Sequence, residues 1–404
     1  MPDLDPRPGS TPDDRLPSVA IVGGSLTGTV AALMLTSAGF PVTVYEAAPA
    51  AASPAGGLLS LEHPALELLD RLGVDQSEYL TGPAQHIEQI TVIDRRPTAT
   101  VRRAYPGRFT TWTLLHAALS RRLPDPIVHR GVRITGLARH GDQPVLATAG
   151  GPTPPADLIL FADGRTSTGR QLLDPGRRLR YAGYVAHRGT TPRILPPGDF
   201  QRFEPGPGAQ FNIAPVPGGA DWTFYLPATA DAFATLFGDR PDRRAFVLPH
   251  QVSAAARVHV DEHATRLLPA AQAGLVDVTA HRTAVPMMDI DPPTRMVWPV
   301  GGGHAILLGD ALAPVRPHTA RGANNGIEQA AGLATALTQH AYRGADLAGA
   351  LNGWQRRHLP TVAQHLRLGT QIADKLGLAQ PVTDPAPGAP ATRAHAAVGA
   401  GSRR

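Results

Sequence analysis

Val19-Ala20-Ile21-Val22-Gly23-Gly24-Ser25-Leu26-Thr27-Gly28 is the stretch that decides the fold of this chain. Its first four residues form an apolar run of the kind that makes a strand buried on both faces of a parallel sheet. A glycine-rich turn follows, and an apolar helical stretch continues to Ala38-Gly39, where the glycine supplies a helix stop. Val42-Thr43-Val44-Tyr45-Glu46 then reads as a second strand. In such a strand–turn–helix–strand unit, the turn N–H groups and the helix N-terminus hold a pyrophosphate. Gly23, Gly24, Ser25, Leu26, Thr27 and Gly28 are therefore the expected phosphate-binding residues. Glu46, closing the second strand, is placed to accept hydrogen bonds from an adenosine ribose. Ser25 stands where the pattern has its second glycine; it is small, and its hydroxyl can itself bond to phosphate. Glycines alone are weak evidence, and it is the flanking strand, the helix and the acid about 20 residues on that point to a dinucleotide.

Composition narrows what surrounds this unit. A chain of 404 residues exceeds the size at which one core keeps growing, so two domains are expected. Hydrophobic residues at 42% suffice for a packed interior, and no apolar run reaches the length of a membrane span. Zero cysteines exclude disulfides, thiolate metal ligands and thiol catalysis, and no metal site is expected. The acidic, proline-rich start Met1-Pro2-Asp3-Leu4-Asp5 is unlike a signal peptide, so a cytoplasmic protein is the plain expectation. The net charge of +5 is carried almost wholly by scattered arginines, Lys375 being the one lysine. No basic run interleaves with aromatics, so nucleic-acid binding is not expected. A monomer or homodimer fits.

Residues 1–17 and 381–404, rich in Pro, Ala, Gly and charge, are expected to be disordered tails. Between them residues 18–73, 112–173 and 305–378 have α/β texture. Residues 85–104 and the segment from Arg180 to about Ala280 hold short alternating runs, such as Trp222-Thr223-Phe224-Tyr225-Leu226, that read as antiparallel strands. The expected organisation is a Rossmann-type α/β nucleotide-binding domain (18–75, 107–178 and 281–380) interleaved with a mostly antiparallel β-sheet substrate domain (76–106 and 179–280).

Two further motifs choose the dinucleotide. Leu158-Ile159-Leu160-Phe161 reads as a buried strand delivering Ala162-Asp163-Gly164-Arg165, with Arg170 shortly after. Ala305-Ile306-Leu307-Leu308 delivers Gly309-Asp310 and, after a loop, Arg316-Pro317-His318 and Gly322-Ala323-Asn324-Asn325. The order fingerprint, Asp-Gly motif, Gly-Asp motif resembles the single-component FAD-dependent aromatic hydroxylases of the para-hydroxybenzoate hydroxylase type, over nearly the whole chain between the tails. Among them the Gly-Gly-Ser turn, Tyr181-Ala182-Gly183-Tyr184-Val185 and Arg316-Pro317-His318 look most like the 2,6-dihydroxypyridine hydroxylase-like monooxygenases.

That resemblance implies FAD as cofactor and NADH or NADPH as a transient co-substrate. It implies O2 as oxidant, with a flavin C4a-hydroperoxide hydroxylating a small aromatic or heteroaromatic ring. It implies that Asp310, with Gly309, bonds the ribityl chain and that Gly322, Ala323 and Asn324 present backbone groups to the flavin. Asp163, Gly164 and Arg170 would serve the pyrophosphate region. The family also swings its flavin between inner and outer positions; Gly56-Gly57 and the loop of residues 314–322 are where such a swing would be accommodated. The chain departs from the family at Ala47, Trp112, Ala313 and Ala320, where Arg, Arg, His and Gly are usual.

No second fingerprint exists for a nicotinamide domain, since Gly206-Pro207-Gly208 and Gly301-Gly302-Gly303 lack the strand and helix context. Ring-contact candidates are Tyr184, His187, Arg188, Phe211, Tyr225, Met287 and His318. Pro317 and His318 lead, because the motif puts them beside the flavin, and an imidazole titrating at its usual pH takes a phenolic proton at neutrality. Alternatives are an FAD-dependent oxidase or dehydrogenase of a small amine or alcohol, and a flavoprotein without catalysis.

Overall fold

The computed structural model describes residues 16–49, 56–82, 84–195 and 198–378. Residues 1–15 and 379–404, and with them nearly all of both expected tails, lie outside the described residues. Leu16 already packs against the main core.

A six-stranded sheet carries the nucleotide motifs. Its order is Val297–Val300, Gly303–Leu307, Leu158–Phe161, Val19–Val22, Val42–Glu46, Val128–Arg130. All neighbours are parallel except the first pair. Val19–Val22 and Leu158–Phe161 are buried throughout, as are Ala305, Ile306 and Leu307, which is why they read as unbroken apolar runs. Val19–Val22 lies between Val42–Glu46 and Leu158–Phe161, and the chain leaves it in one direction before returning on its other side. Such a switch of direction opens a crevice at the strands' carboxyl ends, where ligands bind in open α/β sheets. The helices Leu26–Ser37 and Gly322–Arg343 pack on each other over this sheet. Each ends in a left-handed glycine, Gly39 and Gly344.

A seven-stranded sheet forms the other half, in the order Arg282–Asp289, Arg180–Thr191, Gly219–Pro227, Gln210–Val216, Phe200–Glu204, His86–Ile93, Arg96–Ala104. Its pairings are antiparallel except that between Phe200–Glu204 and His86–Ile93. The strand Arg282–Asp289, grouped by sequence with the nucleotide-binding segments, hydrogen-bonds into this sheet instead, so the change of half falls after Asp289. A second correction concerns residues 230–277. They form the helices Ala230–Phe237, Ala254–Leu267 and Ala270–Asp277 rather than strands. Thr229 and Ser253 accept from Ala232 and Ala256 N–H and so start the first two. The last two helices cover one face of the sheet over Trp222, Phe211 and Phe224.

The opposite face looks toward the nucleotide half. A ribbon of Leu58–Glu62 and Gly107–Thr111 stands beside it. A 29-residue helix, Leu347–Lys375, is capped by Asp346 accepting from Gly349 N–H. Among the described residues no helix is long and apolar enough to cross a membrane.

Candidate functional site

The fingerprint turn is built so that only glycine fits at its ends. Gly23 has φ +101°, and a Cβ there would lie 2.5 Å from the Ala162 carbonyl oxygen. A Cβ on Gly28 would meet the Gly23 oxygen at 1.9 Å. Gly24 N–H donates to Glu46 Oε2 at 2.6 Å, and Ala48 N–H donates to Oε1 at 2.7 Å. Glu46 is thereby held beside the turn, where the fingerprint needs its acid. Ser25 starts the helix without a side-chain capping bond, and the first turn carries no acid, so its N–H groups keep their anion-attracting character. Leu26 is buried, and Thr27 packs against Gly309 and Gly326, seating the helix on the Gly-Asp motif.

Asp163 Oδ2 accepts from Thr168 and Gly169 N–H at 2.7 and 3.2 Å, while its buried Oδ1 has no partner. Burial raises its pKa. Gly164 takes φ +76°, a turn that a side chain resists. Arg170 spends its guanidinium on backbone carbonyls. It donates to the Asp310 and Ala311 carbonyls at 3.1 and 2.8 Å, and to the Arg165 carbonyl, tying the two motif loops together. A lone acceptor atom in Asp163 and glycines that no Cβ could replace are a fit for a polar cofactor rather than a filled core.

Between the two sheets lies a cavity of about 450 Å³, within the range of small-molecule and cofactor sites. On the nucleotide side Asp310, Gly322 and Ala323 line it, together with residues 314–318. The Asp310 carboxyl opens on the cavity, yet surrounding protein raises its pKa against the pull of Arg165 and Arg170. The N-terminus of Gly322–Arg343 has no side-chain cap and no acid in its first turn. The Asn324 side chain is spent elsewhere; it donates to the Ser60 and Ala320 carbonyls and accepts from Glu62 N–H, fastening the ribbon to the helix.

On the other side stand the inward positions of the seven-stranded sheet. Strand alternation sorts the ring-contact candidates. Arg188, Tyr225 and Met287 line the cavity. His187 and Phe211 point to the far face: His187 packs near Phe237 and His259, Phe211 against Trp222 and Phe224. Burial holds His187 down at a pKa of about 3.

His318 lines the cavity from the turn that begins at Pro317. Its Nε2 lies 3.1 Å from the Tyr184 hydroxyl and its Nδ1 3.2 Å from Gln210 Oε1. The amide oxygen can only accept, so the consistent tautomer carries the proton on Nδ1, with Tyr184 donating to Nε2. Burial, helped by Arg202 and Arg316, pushes the imidazole down to about 3. The expectation of an imidazole titrating at its usual pH is thus corrected: His318 is a neutral link. Arg316 fixes that loop, gripping Asp289 with two bonds of 2.7 and 2.5 Å.

Sequence reasoning missed Arg165, Arg202, Gln210, Asn212 and Thr223. The last three alternate with Phe211, Trp222 and Phe224, so strand parity carried the signal once the facing side was known.

Comparison with known proteins agrees with this geometry. Residues 17–176 match the family described as FAD binding domain. The chain is 28% identical over 352 residues to 6-hydroxynicotinate 3-monooxygenase of Pseudomonas fluorescens, covering 83% of this chain and 86% of the relative. It is 25% identical to 2,6-dihydroxypyridine 3-monooxygenase of Paenarthrobacter nicotinovorans, covering 89% and 91%. The solved structure of 2,6-dihydroxypyridine-3-hydroxylase from Arthrobacter nicotinovorans superposes with a TM-score of 0.78 at 23% identity, over 94% of this chain and 99% of that one. With a match to an FAD binding domain at residues 17–176 and monooxygenase relatives along more than four-fifths of its length, the chain is an FAD-dependent monooxygenase with a para-hydroxybenzoate hydroxylase-like fold.

Proposed function

We propose that this chain uses NADH or NADPH and O2 to hydroxylate a small aromatic or heteroaromatic ring. The observation that carries the reading is the cavity bounded by Asp310 and the Gly322–Arg343 N-terminus on one side and by the seven-stranded sheet on the other. FAD supplies the redox and oxygen-activating chemistry when bound. In this reading the residues from Gly23 to Gly28, with Asp163, hold its pyrophosphate, Glu46 its adenosine ribose and Asp310 its ribityl chain. The N–H groups of Gly322 and Ala323 favour negative charge at the flavin's pyrimidine edge. The six-stranded sheet forms the cofactor half and the seven-stranded sheet the substrate half.

The protein's own part is to exclude water, orient the ring and manage the proton of its hydroxyl. Neutral His318 holds Tyr184 and Gln210 in line beside the cavity, so it positions polar groups rather than taking up a proton at neutral pH. The test is NAD(P)H oxidation by FAD-loaded protein across a panel of hydroxylated rings, with labelled O2. Product carrying one labelled oxygen supports the reading. Turnover of an amine or alcohol without NAD(P)H, and without oxygen insertion, overturns it in favour of an oxidase.

A further inference from the structure

A second, smaller cavity of about 190 Å³ adjoins the first, and Arg188 and Phe246 line both. One of its walls comes from the cofactor half. Gly56 and Gly57 stand there, just before the ribbon strand Leu58–Glu62, with Thr113 from the start of the helix Trp112–Ser120. The other wall is the next row along the cavity-facing side of the seven-stranded sheet. Thr190 pairs with Asp221 on neighbouring strands, as Arg188 pairs with Thr223, so all four share one face. The small cavity thus lies between the two halves, separated by Arg188 and Phe246 from the space that Asp310 and His318 line.

Two polar atoms here are open, one of each kind. Asp221 is buried; its Oδ2 accepts from the Thr190 hydroxyl at 3.1 Å, and its Oδ1 has no partner. The Nε of Arg188 is likewise buried without a partner. The two side chains attract one another through space, but no hydrogen bond or ion pair joins them. They nevertheless converge on one spot. The position that a Cβ on Gly57 would take lies 3.5 Å from Arg188 Nη1 and 3.5 Å from Asp221 Oδ1. Buried polar groups left open in this way ask for a ligand to complete them. A carboxylate would meet Asp221 as a like charge, and an ammonium would meet Arg188 as one. A neutral primary carboxamide answers both: its NH2 donates to the carboxyl oxygen and its C=O accepts from the guanidinium.

We propose that this small cavity receives the nicotinamide ring of the visiting NADH or NADPH, with Asp221 and Arg188 holding its carboxamide. The inference rests on the hydroxylase reading above for the identity of the nucleotide. That reaction needs a hydride donor next to the flavin, and the sequence holds no second fingerprint to place one. The small cavity supplies such a place without a domain of its own. It adjoins the main cavity, its glycine side leaves room for a flat ring, and its two open groups match the one polar substituent a nicotinamide carries.

The experiment titrates FAD-loaded protein by calorimetry with two matched pairs. The tetrahydro forms of NADH and NADPH keep the carboxamide but give no hydride; ADP-ribose and its 2′-phosphate lack the nicotinamide. In at least one pair the tetrahydro form is expected to bind at least about tenfold more tightly than its counterpart, a difference of about 1.4 kcal/mol. Asp221→Ala should remove most of that gap, with FAD content as in wild type. Gly57→Ala should do the same by filling the spot between Asp221 and Arg188. Its methyl would meet both at ordinary contact distance, so it gives an independent reading should the first variant fold poorly. Equal binding within both pairs, absence of binding by the tetrahydro forms, or an undiminished gap in either folded variant overturns the proposal. A flavin absorbance band shifted in both variants before any nucleotide is added overturns it too, by assigning the cavity to the flavin. Flavin reduction by NADH or NADPH alongside an undiminished gap sinks this inference and leaves the hydroxylase reading standing. The expected gap with no reduction by either nucleotide upholds carboxamide recognition and sinks the hydroxylase reading.

Discussion

At the scale of single residues, backbone conformation and charge are what the sequence displays most openly. Ala320 takes φ +57°, in the left-handed region where glycine is the usual residue. That conformation costs an L-residue about 1–2 kcal/mol, against about 0.5–1 kcal/mol for the extra chain entropy of glycine. Ala320→Gly is therefore expected to stabilise the protein by up to about 1 kcal/mol, read as a higher urea midpoint, whereas Ala320→Val should lower it. Asp310→Ala should weaken FAD binding by about 1.5–3 kcal/mol, the contribution of a hydrogen bond to a charged group. Flavin fluorescence titration measures it, and an unchanged affinity would remove Asp310 from the ribityl chain. For His318 the sign is set by burial, which holds the imidazole at about 3. Turnover should show no limb near pH ~6.5, the usual imidazole value, that vanishes in His318→Gln; such a limb would restore His318 as a base. The glycines of the fingerprint and Asp310 were legible because each answers a local demand. The Asp163 side chain and the partners of Arg170 were not, because burial and loops far apart in sequence decide them.

At the scale of elements, parity decides which residues meet. The sequence shows that Tyr184, His187 and Arg188 share a strand, but not which face looks at the cavity, since both faces of Arg180–Thr191 are covered. With both sides buried, residue type no longer separates core from site, and His187 and Phe211 were indistinguishable from Tyr225. The helices of 230–277 were misread for a different reason: packing over Trp222 rather than amphipathic periodicity holds the last two. Burial of His187 has a consequence for stability. Its folded pKa, about 3, lies below the usual value near ~6.5, so the unfolded chain binds the extra proton between those limits. Stability from this group is present above pH ~6.5 and is lost as pH falls toward about 3. Between about pH 7 and 5 the loss is about 2 kcal/mol. His187→Leu should flatten the decline in melting temperature over that interval; an equal decline in both proteins would show that His187 is not buried neutral.

At the scale of the whole molecule, the two sheets meet around the cavity, and side chains from the cofactor half grip the other. Arg165 donates to the Pro286 carbonyl at 2.9 Å, and Arg316 holds Asp289 from the loop that carries Pro317 and His318. That loop joins Asp310 to the N-terminus of Gly322–Arg343, so it touches both the cofactor side and the sheet wall. A ligand on the wall therefore bears on the same loop as the flavin. In the proposed reaction, with no nicotinamide fingerprint in the sequence, a visiting NAD(P)H would reduce the flavin, and if the flavin swings between two positions as the resemblance implies, a bound ring would shift that equilibrium only by its differential affinity for the two. Flavin reduction by NAD(P)H is expected to be slow alone and at least about tenfold faster with a bound ring, equivalent to about 1.4 kcal/mol of barrier. Asp289→Asn, which loosens the loop from the sheet, should shrink that acceleration while leaving FAD bound. Stopped-flow absorbance at the flavin band measures both rates. Equal reduction rates with and without the ring would show that the wall and the flavin are not coupled.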